Sequence, residues 1–244
     1  MKRTSIILTA ATLLCLSLSS CFDDIYGNSD SGDGTGSHDD DNYVTSGPWV
    51  DLGLPSGLLW ASCNVGAEYP EQYGNYYAWG ETTTKIEYNW NTYKYCYMDG
   101  SNTKLTKYCN DGYNWGYNGF ADNLTTLQPE DDAATANLGG GARTPYSFEW
   151  QELIDRTTQE VFTLYGIEGV KFTASNGNSI FIPGAGYREN GLLSSDGYIY
   201  CQSASLKSNL SVAPAQNYPY DYVGIRDVYM ERCKGLPVRA VRAK

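Results

Sequence analysis

Alternation of apolar and polar positions is clearest at the two ends of the region beyond Pro48. Val50-Asp51-Leu52 and Leu58 to Val65 read as two strands joined by Leu54-Pro55-Ser56-Gly57. Proline second and glycine fourth suit a type I turn. Three further strands are expected at Glu160 to Tyr165, Gly169 to Ala174 and Ser179 to Pro183. Their joints, Gly166-Ile167-Glu168 and Asn176-Gly177-Asn178, carry hairpin chemistry. Shorter strands are predicted at Tyr198 to Ser203, Tyr222 to Met230 and Leu236 to Arg242.

Helical signals occupy the middle. Gln128-Pro129-Glu130-Asp131-Asp132 opens a helix, with proline and acids in the first turn, and Gly139-Gly140-Gly141 stops it. A second helix is expected from Ser147 to about Thr157, burying Phe148, Trp150 or Leu153, and Ile154. From Tyr88 to Phe120 the chain is mostly Tyr, Asn, Gly and Trp without clear period, which predicts ordered loops and short hairpins. Helices in one block and strands in another argue for an α+β fold, with two helices packed on short, mostly antiparallel strands.

The first residues break this pattern. Lys2 and Arg3 precede an apolar run from Ile6 to Leu18, then Leu18-Ser19-Ser20-Cys21. That run is too short to span a bilayer and reads as a secretory signal over residues 1–20. Cysteine directly behind Leu-Ser-Ser is similar to a bacterial lipoprotein signal, with Cys21 as the lipidated residue. Several acyl chains would hold the chain on a membrane. Residues 21–47 carry seven aspartates and no Lys or Arg, so they are expected to be an acidic tether before a domain at residues 48–244. Without Lys2 and Arg3 the formal charge of −11 becomes −13. Such a balance offers no basic stripe and disfavours nucleic acid as a partner.

Candidate chemistry is sparse. The one histidine, His38, falls in the tether, which removes Ser-His and Cys-His pairs and multi-histidine metal sites. Glu130, Asp131 and Asp132 read as a charged first helical turn, and Glu149 and Glu152 as acids on a helix. No metal or cofactor is expected. Beyond Cys21 the cysteines are Cys63, Cys96, Cys109, Cys201 and Cys233, an odd set that leaves at least one thiol unpaired within the chain. Cys96 and Cys109, flanking a turn-like segment in the related wording TYKYC and TKYC, form the candidate disulfide.

Five ordered blocks carry a family resemblance. They are LGLPSGLLWASCNVGA from Leu52, YGNYYAWGET from Tyr73, Arg143 to Leu153, NSIFIPGAGYR from Asn178, and Arg232-x-x-Gly235-x-x-Val238-Arg239-x-Val241. This wording resembles the Fibrobacter succinogenes major paralogous domain, found in surface lipoproteins of gut Bacteroidetes. The resemblance implies a C-type-lectin-like fold in which the opening strand lies beside the closing strand. It also implies binding rather than catalysis, and an outer-membrane, surface-exposed location, which Phe22-Asp23-Asp24 resembles a tag for. Two alternatives stay open: a structural subunit of a surface assembly, and an enzyme of the formylglycine-generating type, to which the fold is distantly akin. Calcium-dependent sugar binding would want Trp-Asn-Asp, which the chain lacks, so Gln128-Pro129-Glu130 stays a helix start.

The chain departs from the family wording at Tyr200-Cys201-Gln202-Ser203 and over Ser208 to Tyr229. In related display proteins this region forms the ligand face. Aromatic, arginine and amide residues suit hot spots for a protein or glycan. The expected ligand-binding set is therefore Tyr187, Arg188, Asn190, Tyr198, Tyr200, Gln202, Asn217, Tyr218, Tyr220, Tyr222, Arg226 and Tyr229. Most of the other tyrosines among the 22, including Tyr73, Tyr76 and Tyr77, are expected to be half-buried.

Overall fold

The computed structural model describes residues 47–217 and 226–244, with backbone alone over 212–217 and 226–229. Cys21, the acidic tether up to Ser46, and Tyr218, Tyr220 and Tyr222 lie outside the described residues.

The described residues form an α+β arrangement of small antiparallel sheets and two helices. One sheet joins the two ends of the domain: β1 (Trp49–Asp51), β2 (Leu59–Asn64) and β14 (Arg239–Arg242), in the order β1-β2-β14. The opening and closing strands therefore share a sheet but do not touch as expected, because β2 lies between them. Trp60 sits opposite Val50 on one side and Val241 on the other. The expected turn is present, with the Gly57 amide donating to the Leu54 carbonyl at 2.9 Å.

A second sheet is a meander of β6 (Thr157–Leu164), β7 (Ile167–Ala174) and β8 (Ser179–Pro183). Its first turn is one residue earlier than the sequence suggested. Leu164 pairs with Ile167, and Tyr165-Gly166 makes the two-residue turn with φ of 47° and 79°. Positive φ at both central residues is the hairpin geometry that matches strand twist. β8 is buried along its whole length, as its continuous apolar run implies.

Helix α1 (Ala133–Leu138) begins later than predicted. Pro129–Asp131 forms a single 3-10 turn, and Asp132 is the N-cap, its Oδ1 accepting from the amides of Ala134 and Thr135. The cap is buried because Asp132 also takes the Thr144 amide and hydroxyl, at 2.8 and 2.9 Å. Helix α2 (Ser147–Arg156) buries Trp150 and Leu153 and packs Ile154 against the same core. Phe148 instead stays 67% exposed, stacked on Tyr146 at 5.5 Å. Positions 150, 153 and 154 lie on one helical face, whereas 148 is about two residues, or some 200°, away from it.

Two cores result. An aliphatic one collects Val50, Leu52, Trp60, Trp150, Leu153, Val170, Phe172, Ile180, Ile182 and Val241 between the two sheets and α2. A tyrosine-rich one collects Tyr76, Trp79, Tyr88, Tyr93, Tyr95, Tyr108 and Tyr200 beneath irregular chain. Tyr76 and Tyr77, on the short β3 (Tyr76–Tyr77), are fully buried rather than half-buried. β3 pairs with β13 (Leu236–Pro237).

Two buried guanidinium groups pin the C-terminal segment. Arg239 donates to Asn64 Oδ1 at 3.0 Å and to the carbonyls of Ala61, Ser62 and Phe181 at 2.9, 2.6 and 2.9 Å. Arg232 donates to the carbonyls of Tyr108 and Lys107 at 2.9 and 2.8 Å, with its guanidinium against the rings of Trp79 and Tyr93. Arginine suits such sites because its planar fork meets several carbonyls at once.

Two further sequence expectations fail. Tyr198 to Ser203 is not a strand but irregular chain, whose carbonyls are met by side chains such as Trp79 Nε1 and Trp150 Nε1. The stretch that departs from the family wording holds β11 (Ser211–Asn217), paired with β12 (Arg226–Glu231), which overlaps the strand expected at Tyr222 to Met230. All five cysteines of the domain are free, so Cys96 and Cys109 do not form the expected bridge. Cys96 faces the Met98 sulfur at 3.6 Å, while Cys109 is buried.

Candidate binding surface

The expected ligand residues divide sharply. Tyr187 and Arg188 lie on β9 (Tyr187–Glu189), which pairs with β10 (Leu192–Ser194). The turn between them is Asn190-Gly191, with φ of 49° and 80°. An Asn-Gly pair is the strongest short hairpin signal, and the sequence expectations above overlooked it. The hairpin is seated firmly. Arg188 and Gly235 exchange backbone hydrogen bonds at 2.8 and 2.9 Å, and a side chain on Gly235 would collide with the Tyr88 ring.

On this hairpin Asn190 is exposed and accepts from the Asn89 side chain at 3.1 Å. Arg188 is half-buried, its guanidinium 5.0 Å from the Tyr76 ring centroid. Tyr187 is half-buried between the edge of Tyr200 and the Lys234 ammonium, which also pairs with Glu189 at 3.2 Å. Tyr198 is half-buried against the tyrosine core. Leu192 and Leu193, which sequence reading passed over, are the exposed apolar residues here, at 69% and 37%.

Tyr200 and Gln202 cannot face a ligand. Tyr200 is buried, and burial pushes its phenol pKa up. Gln202 is 2% exposed, its amide donating to the Tyr77 carbonyl at 2.5 Å and its carbonyl accepting from Trp150. Irregular backbone there needs side-chain donors, and Trp79 and Trp150 supply them to the Ser203 and Gln202 carbonyls. Asn217 pairs with Arg226 across β11 and β12, and Tyr229 lies on β12; their side chains are outside the described residues.

Asp131 and Asp132, read as part of a charged first helical turn, prove to be interior ligands of the fold, whereas Glu130 stays exposed beside Lys107. Asp131 accepts from the Tyr95 hydroxyl, from the Tyr108 hydroxyl at 2.7 Å, and from Lys107 and Lys94 at 2.5 and 3.3 Å. Burial alone would raise its pKa, but the Lys107, Tyr95 and Tyr108 hydrogen bonds outweigh burial and hold it down to about 2. With every lone pair engaged, this carboxylate is a clamp between the 93–108 loop and α1. Glu149 is similarly committed, forked with Arg143 at 2.5 and 2.7 Å while accepting the Tyr146 amide.

An open cleft of about 340 Å³ is lined by Tyr73, Thr163, Gly166, Ile167, Glu168, Asp196 and Gly197. Inside it the Tyr73 hydroxyl donates to Asp196 at 2.8 Å, and burial together with that bond pushes the phenol up to about 12. Among the described residues, no three His, Cys, Asp or Glu side chains converge as metal ligands would.

A further exposed group lies in the stretch from Tyr88 to Phe120, where ordered loops and short hairpins were expected. β4 (Cys96–Asp99) and β5 (Asn102–Leu105) form a hairpin, and the chain to Phe120 folds back onto it. Tyr97, Tyr113, Tyr117 and Phe120 are all exposed, with the Tyr97 and Tyr117 rings 4.4 Å apart at 51°. Tyrosine spacing could not reveal this, because the same loop also supplies the buried Tyr93, Tyr95 and Tyr108. Comparison with family models, with curated proteins and with solved structures returns no match.

Proposed function

We propose that this chain is a non-catalytic cell-surface lipoprotein, anchored to the outer membrane through Cys21, whose C-type-lectin-like domain binds a protein or glycan. One observation carries the binding reading. Exposed aromatic side chains gather on β4–β5 and the chain after it, and exposed leucines on β9–β10, while the buried acids and arginines of the fold are bound to internal partners. Loops on a rigid scaffold are where recognition residues concentrate. In support of the fold reading, the first and last strands share one sheet and α2 packs on the aliphatic core.

The oxidase alternative is disfavoured by the thiols. Cys201 sits in the aliphatic core and Cys233 in the tyrosine core, and burial pushes each thiol up to about 12. A reactive cysteine needs the opposite, a depressed pKa and access.

Anchorage is tested by Cys21→Ala in detergent phase partition. The variant should move from the detergent phase to the aqueous phase, and retention in the detergent phase would reject the lipoprotein reading.

A further inference from the structure

We propose that the surface formed by the paired rings of Tyr97 and Tyr117 is a carbohydrate site that takes a neutral glycan chain; this rests on the reading of the domain as a surface binder. Between Cys96 and Phe120 every large exposed apolar side chain is aromatic. A pyranose presents a face of C–H groups edged by hydroxyls. An aromatic ring covers such a face, and amides or carboxylates beside it can bond two hydroxyls at once. Both elements are here. The paired rings of Tyr97 and Tyr117 are neighboured along the chain by the exposed Asp99, Asn102, Asn114 and Asn118.

The rings are held in advance of any ligand. Tyr97 lies opposite Lys104 across the hairpin, and the Lys104 ammonium donates to the Asn114 carbonyl at 3.0 Å. The Leu105 amide donates to the Trp115 carbonyl at 2.6 Å, and Asp122 gathers the amides of Tyr108, Cys109 and Leu124. At Gly116 a side chain would overlap the Phe120 carbonyl, so the loop closes on itself only with glycine there. A surface ordered beforehand loses little entropy on binding.

Charge selects the class of glycan. The two lysines of this segment are occupied, Lys104 by the Asn114 carbonyl and Lys107 by Asp131 and Glu130. With Asp99 and Asp111 nearby in sequence and a formal chain charge of −11, a sulfated or uronic-acid chain would be repelled. A protein hot spot would mix arginine with its aromatics, and the segment from Cys96 to Phe120 has no arginine. That mixture occurs instead on the β9–β10 hairpin, with Tyr187 and Arg188.

The test is affinity electrophoresis of the full chain through gels containing xyloglucan, galactomannan or mixed-linkage β-glucan, with polygalacturonate as the anionic control. At least one neutral polymer should retard the protein and polygalacturonate should not. The paired change Tyr97→Ala and Tyr117→Ala should weaken retardation roughly tenfold or more, while Tyr97→Phe, which keeps the ring, should retain it. If the double variant does not fold, Tyr117→Ala alone decides, since that side chain is exposed. Absence of retardation in all three neutral gels, or retardation unchanged in the alanine variants, would overturn the proposal. Retardation that survives those variants but is lost in Leu192→Asp would reject this site and keep the surface-binder reading. Cys21-independent membrane retention would reject the lipid anchor and leave the glycan result standing.

Discussion

The aliphatic core and the tyrosine core are equally dry, yet they solve different problems. Trp60 and Phe172 in the first, and Tyr88 and Tyr108 in the second, are all no more than 1% exposed. Around the aliphatic core the backbone lies in strands and a helix, so its polar groups satisfy one another. Around the tyrosine core the chain is irregular and leaves carbonyls pointing inward. Side-chain donors meet them: Tyr76 bonds the Ala185 carbonyl, Tyr88 that of Tyr76, Tyr93 that of Trp79, and Trp79 that of Ser203. Tyrosine suits this work because its ring adds apolar area and its hydroxyl adds a donor. Much of the unusual tyrosine content is thus mortar for loops, and a smaller part is available for recognition.

Arg239 breaks the contrast most usefully, since it brings the tyrosine-core device into the sheet. Replacing it in Arg239→Met would leave the Ala61, Ser62 and Phe181 carbonyls and Asn64 Oδ1 without the donors they now have. A loss of about 3–5 kcal/mol is expected from urea denaturation, since orphaned buried acceptors are costly. A loss below about 1 kcal/mol would mean that strand pairing alone holds the closing strand.

Acid should separate the two cores next. The Asp131 carboxyl titrates near 2 in the folded chain against 3.8 as its ordinary value. The lower folded value means that its stabilisation is complete above about pH 4 and is lost as pH falls through about 2. The contribution is about 2 kcal/mol. Urea unfolding of the native chain and of Asp131→Asn at several pH values should show a gap that narrows with acidification. A gap independent of pH would assign the role of Asp131 to shape rather than charge.

The same contrast explains what could be read from the sequence. The meander β6–β8 and helix α2 follow from periodicity, because regular backbone imposes a period on its buried side chains. Only local details slipped, such as the Tyr165-Gly166 turn and the outward-facing Phe148. The tyrosine core has no period, so burial there could not be inferred residue by residue. Tyr200 and Gln202 look like surface recognition residues in sequence and prove to be interior donors and packing. Conversely, nothing in the run Tyr-Lys-Tyr-Cys-Tyr distinguishes the buried Tyr93 and Tyr95 from the exposed Tyr97 except strand pairing that forms later. The Asn190-Gly191 hairpin was legible and marks the part of the candidate surface that local chemistry alone could have placed.

The finest discrimination comes from deleting single oxygen atoms in the tyrosine core. Tyr93 is 3% exposed and donates to the Trp79 carbonyl at 2.8 Å, with its ring edge-on to Trp90 and Tyr95 and beside the Arg232 guanidinium. Tyr93→Phe keeps those ring contacts and removes only the donor. The Trp79 carbonyl would then be buried without it, at a cost of about 1–2 kcal/mol. Tyr76→Phe and Tyr88→Phe should cost a similar amount each. Their combination should depart from additivity, because the Tyr88 hydroxyl bonds the Tyr76 carbonyl and the pair share one stretch of backbone. Tyr93→Phe combined with either, through a separate carbonyl, should add more nearly. If all three substitutions prove neutral in urea denaturation, the hydroxyls are incidental to the fold. The tyrosines would then serve only as apolar rings, and phenylalanine would have sufficed in their place.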